Sequence, residues 1–498
     1  MKPLNIRKKK LFYFSLLSTL AIPYSCSEQF EKSERSNLLF IFTDDQRWDA
    51  IGYRNPFVYT PNLDKLSQEG LRFNQATIVL PVCSPSRAAT LTGRYGIANG
   101  VTTYSTPINE SEVTFAKYLR EAGYHTAMVG KWHVPVYTGK DVIRGGYMTA
   151  SDRPYPPVFY EFDEVRDLGN TRDYWQPKVI NNGNEERAPG TSVDYVVDET
   201  IEIIKKARDR GKNFAIYLST LEPHNKMWKG GGEERLSDET RRYYENHPLT
   251  THPVPPSIYD DLIDKPPYLK TARSRRLRVG EKGENPMTPE RFFEYQFNTF
   301  ALVTELDRKL GHLFAELERM NLRRNTYIIF MSDNGLFQGE HGLMSKGLHY
   351  EESVRVPLFI VGPGISPGFD DRNLVANIDI APTLLDLAGI DIPENMHGVS
   401  LKKTILDRTP LDRPYLLHEH PDENHTLEIQ PVYSLRSHRW KYIQTYENGK
   451  ERPYTFEELY DLHDDSYEMR NLVEDPQYKD FLQFLRTELE SQLRRATR

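Results

Sequence analysis

The chain reads as an α/β fold, with a mostly parallel central sheet sandwiched by helices and a smaller C-terminal α+β subdomain. Three observations predict it. From about Asn37 short apolar runs alternate with amphipathic helical stretches. Four of those runs end on polar, ionisable residues, as strands do where an open parallel sheet meets its ligand. After about Arg413 the character changes to strand-like pieces followed by a terminal helix.

Taken in order, Asn37 to Thr43 (NLLFIFT) runs into Asp44-Asp45, and His125 to Val129 runs into Gly130-Lys131-Trp132-His133. Phe214 to Leu218 leads to Glu222-Pro223-His224, and Thr326 to Met331 to Ser332-Asp333-Asn334-Gly335. The spacing predicts helices over Asn62 to Glu69, Val113 to Ala122, about Glu290 to Met320, and Ala381 to Ala388, the last stopped by Gly389. The long helix carries Phe293, Phe297, Phe300, Val303, Leu306, Leu310, Leu313 and Leu317 at three- and four-residue intervals, a core stripe rather than a cofactor box. Val432 to Arg436, Trp440 to Thr445, a turn at Asn448-Gly449 and a helix from about Pro476 complete the C-terminal unit. The expected organisation is a leader over 1–25, a main domain over 36–400 and the C-terminal subdomain over 413–498. Two stretches rich in Pro, Gly, Tyr and charge, roughly Pro135 to Pro189 and Asn225 to Pro289, are too long for simple connections and read as walls of a pocket.

Composition bounds the function. The 498 residues suffice for one large domain and a small one, and a net charge of −7 gives no basic surface for nucleic acid. The two cysteines, Cys26 and Cys83, have unrelated contexts and make no disulfide framework. At the N-terminus Lys2, Arg7 and Lys8-Lys9-Lys10 precede LFYFSLLSTLAI, the order of a secretory signal, and the apolar run is too short to span a bilayer. Cys26 reads as a lipid-modified cysteine, with ordinary cleavage nearby as the alternative. The expected location is therefore periplasmic or at the cell surface.

The most informative run is Cys83-Ser84-Pro85-Ser86-Arg87, continuing Ala88-Ala89-Thr90-Leu91-Thr92-Gly93-Arg94. Pro85 suits the first turn of a helix and Gly93 its C-cap, which places Cys83 at the positive end of a helix, where an anion is favoured. Cys-x-Pro by itself fits an inert buried cysteine. With Arg87 and the Leu-Thr-Gly-Arg tail in register, the run resembles the signature of the type I sulfatases, within the alkaline phosphatase superfamily. The resemblance implies that Cys83 is oxidised to formylglycine by a formylglycine-generating enzyme. Its hydrate offers two geminal hydroxyls, one to attack sulfur and one to expel sulfate afterwards.

Asp44-Asp45 alone reads as a helix cap. Paired with Asp333 and Asn334 after a second strand, these hard oxygen donors favour Ca²⁺ or Mg²⁺ over zinc or copper, and the resemblance implies one calcium ion held by Asp44, Asp45, Cys83, Asp333 and Asn334. It likewise implies that Arg87 steadies the hydrate and the metal, while Lys131, His133, His224 and Lys346 surround the sulfate. Each of these cations in isolation would be a solvated surface residue. Lys346 lies in Gly342-Leu343-Met344-Ser345-Lys346-Gly347, followed by Tyr350-Glu351-Glu352 and Arg355-Val356-Pro357, close to the family's corresponding stretch. Leu459-Tyr460-Asp461-Leu462 and Glu468-Met469-Arg470-Asn471-Leu472 extend the resemblance to the C-terminal unit.

By that resemblance Asp333 takes a proton from the attacking hydroxyl, His224 or Lys346 protonates the leaving alcohol, and His133 deprotonates the second hydroxyl. Val134-Pro135 and Lys226 depart from the family's pattern beside the pocket, which bears on the substrate rather than the chemistry. The implied substrate is a sulfated carbohydrate, from algal polysaccharide or glycosaminoglycan. Two rival expectations stand beside it: a phosphonate or phosphate ester hydrolase of the same superfamily, and a lipoprotein that binds sulfated glycan without turnover.

Overall fold

The computed structural model describes residues 35–137, 142–143, 161–168, 174–182, 184–224, 236–272, 288–422, 428–447 and 454–498. The leader, Cys26, the Asn448-Gly449 turn, Lys226 and parts of both insertions lie outside the described residues. Ten strands make the main sheet: β1 (Asn37–Asp44), β2 (Leu71–Thr77), β3 (His125–Gly130), β4 (Glu164–Asp167), β5 (Lys178–Asn181), β6 (Asn184–Arg187), β7 (Phe214–Pro223), β8 (Thr326–Ser332), β9 (Leu358–Val361) and β10 (Phe369–Ala376). Their spatial order is β10-β2-β9-β8-β1-β7-β3-β4-β5-β6.

β1 is buried at every residue because it sits mid-sheet with helices on both faces. Its alternation sorts the core into two layers: Leu38, Phe40 and Phe42 point into one, Leu39 and Ile41 into the other. β1 runs parallel to β8 and to β7, and β3 runs parallel to β7 and β4. The antiparallel insertion of β9 between β8 and β2, and the β4-β5-β6 meander, make the sheet mixed at its edges.

The helices that matter below are α1 (Pro61–Ser67), α2 (Cys83–Thr92), α3 (Phe115–Glu121), α4 (Ser192–Asp209), α5 (Asp238–Asn246), α6 (Pro289–Arg319) and α7 (Ile380–Leu387). α6 buries Phe300, Val303, Leu306, Leu310, Leu313 and Leu317 as its spacing predicts, while Phe293 and Phe297 are only partly covered. Among the described residues no helix is long and apolar enough to cross a membrane.

The C-terminal subdomain is an antiparallel sheet, β11 (Leu416–His420), β12 (Val432–Arg436), β13 (Trp440–Thr445) and β14 (Phe456–Asp461), with α8 (Lys479–Ala496) burying Leu482, Leu485 and Leu489. Buried ion pairs join this sheet to the main domain. Glu351 meets Arg436 at 2.9 Å and Lys441 at 2.8 Å, and Lys441 also meets Glu468 at 2.9 Å.

Candidate active site

Register alone assembles the acidic cluster. Thr43 on β1 pairs with Ser332 on β8, so the residues at the two strand ends, Asp44-Asp45 and Asp333-Asn334, emerge side by side. The Asp45 amide donates to Asp333 Oδ1 at 3.0 Å, and Asn334 Nδ2 donates to Asp45 Oδ1 at 2.6 Å. Asp45 holds a positive φ of 62°, a backbone state that non-glycine residues adopt at a cost and that recurs at functional sites.

α2 begins at Cys83 itself, after Val82 in extended conformation, and ends at Gly93 in the left-handed state with φ of 69°. Its N-terminus is thus aimed at the acidic cluster. Cys83 Sγ–H donates to Asp44 Oδ1 at 3.3 Å, and one ligand atom from each of Asp44, Asp45, Cys83 and Asp333 lies within 4.8 Å of the others. One helical turn on, Arg87 reaches Asp333 Oδ2 with Nε at 3.0 Å and Nη2 at 2.8 Å. Its Nη1 donates to the Lys131 carbonyl at 2.9 Å and to Ser219 Oγ at 2.5 Å.

β3 delivers Lys131 through Gly130, whose φ is 109° and where a Cβ would stand 1.7 Å from the Ser219 carbonyl oxygen, so only glycine fits. Lys131 Nζ donates to Asp44 Oδ2 at 2.5 Å. Lys346 donates to Asp45 Oδ1, and to Cys83 Sγ at 2.5 Å. His133 is buried, at a φ of 57°, with its ring 5.9 Å from that of Tyr104. His224 Nε2 lies 3.6 Å from Asp45 Oδ2, and its side chain, 39% exposed, is the open flank of the cluster. All the site residues expected from the sequence are therefore brought together, Cys26 lying outside the described residues.

Sequence reading missed three partners. Tyr104 stands against His133; Tyr174, from an insertion, donates its hydroxyl to the His224 carbonyl at 2.9 Å and lies 3.3 Å from Nδ1; Ser219, inside β7, accepts from Arg87. None of the three sits in a motif, because each arrives through a loop or from a neighbouring strand.

Electrostatics follow from this crowding. Burial pushes the Cys83 thiol well above its ordinary range and Asp333 and Asp44 push it further, so an unmodified thiol here stays protonated. Burial raises Asp44 as well, but Lys131, His224, Arg87 and Lys346 outweigh it and hold the carboxyl well below the usual range. Asp333 is pushed up to about 6 by burial and by Asp44, against the pull of Arg87. Burial lowers both His133 and His224, His133 strongly and with help from Lys131 and Arg87. Burial likewise disfavours the Lys346 ammonium, yet Asp45, with Asp44 behind it, reverses this and raises it well above its ordinary value.

The donors fit a hard divalent cation. Asp44, Asp45 and Asp333 offer carboxylate oxygens, and buried Asn334 Oδ1 accepts no hydrogen bond among the described residues. Charge agrees: three carboxylates face Arg87, Lys131 and Lys346, a balance of zero. A divalent ion would leave two positive charges facing the pocket, suited to an anionic ester.

Comparison with known proteins gives the family. Residues 36–390 fit the sulfatase family model, and 339–495 fit that of the N-sulphoglucosamine sulphohydrolase C-terminal region. An N-acetylglucosamine-6-O-sulfatase of Bacteroides thetaiotaomicron is 28% identical over 94% of this chain and 89% of its own. An ulvan-active sulfatase of Formosa agariphila is 28% identical over 94% and 82% respectively. The solved structure of BT4656 in complex with its substrate, D-glucosamine-2-N,6-O-disulfate, superposes with a TM-score of 0.77 at 26% identity, covering 93% of this chain and 98% of that one. The chain belongs to the sulfatase family, with the fold of the alkaline phosphatase superfamily, and is a sulfuric ester hydrolase.

Proposed function

We propose that this protein hydrolyses sulfate esters of carbohydrates, using a formylglycine made from Cys83 and a calcium ion, after export from the cytoplasm. The observation that carries the reading is the meeting of Cys83 with Asp44, Asp45, Asp333, Arg87, Lys131 and Lys346 in one buried, charge-balanced cluster. The carbohydrate class draws support from the relatives named above, whose names specify sugar sulfates. When formed and bound, the formylglycine hydrate would supply the nucleophile, and calcium held by Asp44, Asp45, residue 83, Asp333 and Asn334 would draw charge from the sulfate oxygens.

The chain's own side chains do the rest. Lys131 and Lys346, anchored on Asp44 and Asp45, point fixed positive charge at the sulfate, and such preorganised charge is often the largest contribution to catalysis. Arg87 clamps Asp333, whose two oxygens both accept hydrogen bonds. We therefore assign Asp333 to holding the metal rather than to moving a proton. His224, on the open flank with its ring oriented by Tyr174, or Lys346, which its acidic neighbours keep charged, protonates the departing alcohol. His133, kept neutral by burial, takes the proton whose loss frees sulfate.

The test is substrate release by protein produced together with a formylglycine-generating enzyme. Sulfate should appear from sulfated mono- or oligosaccharides. Cleavage of a phosphonate monoester with no cleavage of any sugar sulfate would contradict the reading.

A further inference from the structure

A pocket lies between the head of α4 and the middle of α6. It encloses about 220 Å³, with Val193 and Leu302 as apolar floor and Trp175 as one wall. Its charged lining comprises Asp194, Glu222, Glu305, Arg308 and Lys309. Trp175 is 62% exposed, an unusual place for the largest side chain, and its backbone bridges to Thr191 at the head of α4, so a fixed frame presents the indole. The charged lining is ordered as well: Lys309 pairs with Asp194, and Arg308 pairs with Glu305 at 2.8 Å.

An apolar floor, an open aromatic face and a charged lining match a pyranose ring. Such a ring offers C–H groups on its face and hydroxyl or sulfate groups at its edge. The pocket is tied to the reacting centre through two short connections. Tyr174, which holds His224, is the neighbour of Trp175, and Glu222, two residues before His224, also lines the pocket.

We propose, resting on the carbohydrate reading above, that the Trp175 pocket is a second sugar subsite. It holds a ring adjacent, along an oligosaccharide, to the one whose ester faces Cys83. The enzyme would then read at least two sugars, the second by stacking on Trp175 and by contacts with Arg308 and Lys309.

The experiment compares Trp175→Ala, Trp175→Phe and unaltered enzyme on paired substrates: sulfated monosaccharides, and tetrasaccharides from heparin, chondroitin sulfate and carrageenan carrying the same sulfated sugar. For the pair that the unaltered enzyme cleaves, Trp175→Ala should lower the ratio of tetrasaccharide to monosaccharide kcat/KM by about three- to tenfold, through KM. Trp175→Phe should restore most of that ratio. An unchanged ratio in Trp175→Ala overturns the subsite, as does an equal loss on both substrates, which would mark a structural role. If the unaltered enzyme cleaves 4-nitrophenyl sulfate but no sugar of the panel, the carbohydrate reading itself fails, and the subsite with it.

Discussion

Cys83 sits among three carboxylates, and burial first, then Asp333 and Asp44, holds its thiol protonated, an environment hostile to a thiolate and suited to a neutral nucleophile beside a cation. The neighbouring cations were legible in the sequence because each follows an apolar strand or lies in a recognisable run. Tyr104, Tyr174 and Ser219 were not, since no spacing relates them to the residues they touch. Removing a fixed positive charge should be costly: Lys346→Ala is expected to lower kcat by about 10²- to 10³-fold, measured as initial rates of sulfate release. His133→Ala should leave the first turnover and stop later ones, giving a burst of about one alcohol per enzyme. Because burial holds His133 well below 6.5, it stays neutral and able to accept a proton on the acid side of that value. The acid limb of the kcat–pH profile should accordingly lie below pH 6.5, and a limb above it would assign the proton transfer to another group.

At the scale of elements, the site is built by strand ends in register, and the four strands that matter were readable as continuous apolar runs. β9 and β2 were not readable. β9 is an apolar run of only four residues, too short to stand out, and β2 alternates buried positions with half-covered Arg72, Asn74 and Gln75. Their antiparallel contacts also explain why a sheet expected to be mostly parallel has mixed edges. Gly130 is the element-level hinge of the design, because β3 must pass close to Ser219 to set Lys131 on Asp44. Gly130→Ala is expected to destabilise by more than about 1 kcal/mol and to depress activity along with stability, read by urea unfolding and by rate. A variant of full stability and full rate would mean that β3 reaches its position otherwise.

For the whole molecule, the C-terminal sheet is joined to the catalytic domain by buried polar contacts that the sequence could not display, since Arg436 lies 85 positions from Glu351. Glu351 is held well below the carboxylate range: burial raises it, but Arg436 and Lys441 outweigh burial. Glu351→Gln should cost about 3 kcal/mol by leaving Arg436 buried without its carboxylate and Lys441 with Glu468 alone, seen as a lower urea midpoint. Burial also holds His418 down at about 3. The unfolded chain therefore binds a proton near pH 6.5 that the folded one refuses, and stability falls as pH drops below that value. Between pH 7 and pH 5 His418→Gln should lose about 2 kcal/mol less stability than the unaltered protein. In the holoenzyme proposed above, catalysis comes from residue 83 after its thiol has been replaced by an aldehyde. The direct measurement is the rate of sulfate release plotted against the aldehyde fraction of the Cys83 peptide, by mass spectrometry, across preparations made with graded amounts of formylglycine-generating enzyme. The account predicts a straight line through the origin; equal rates from protein whose Cys83 is wholly unmodified would contradict it.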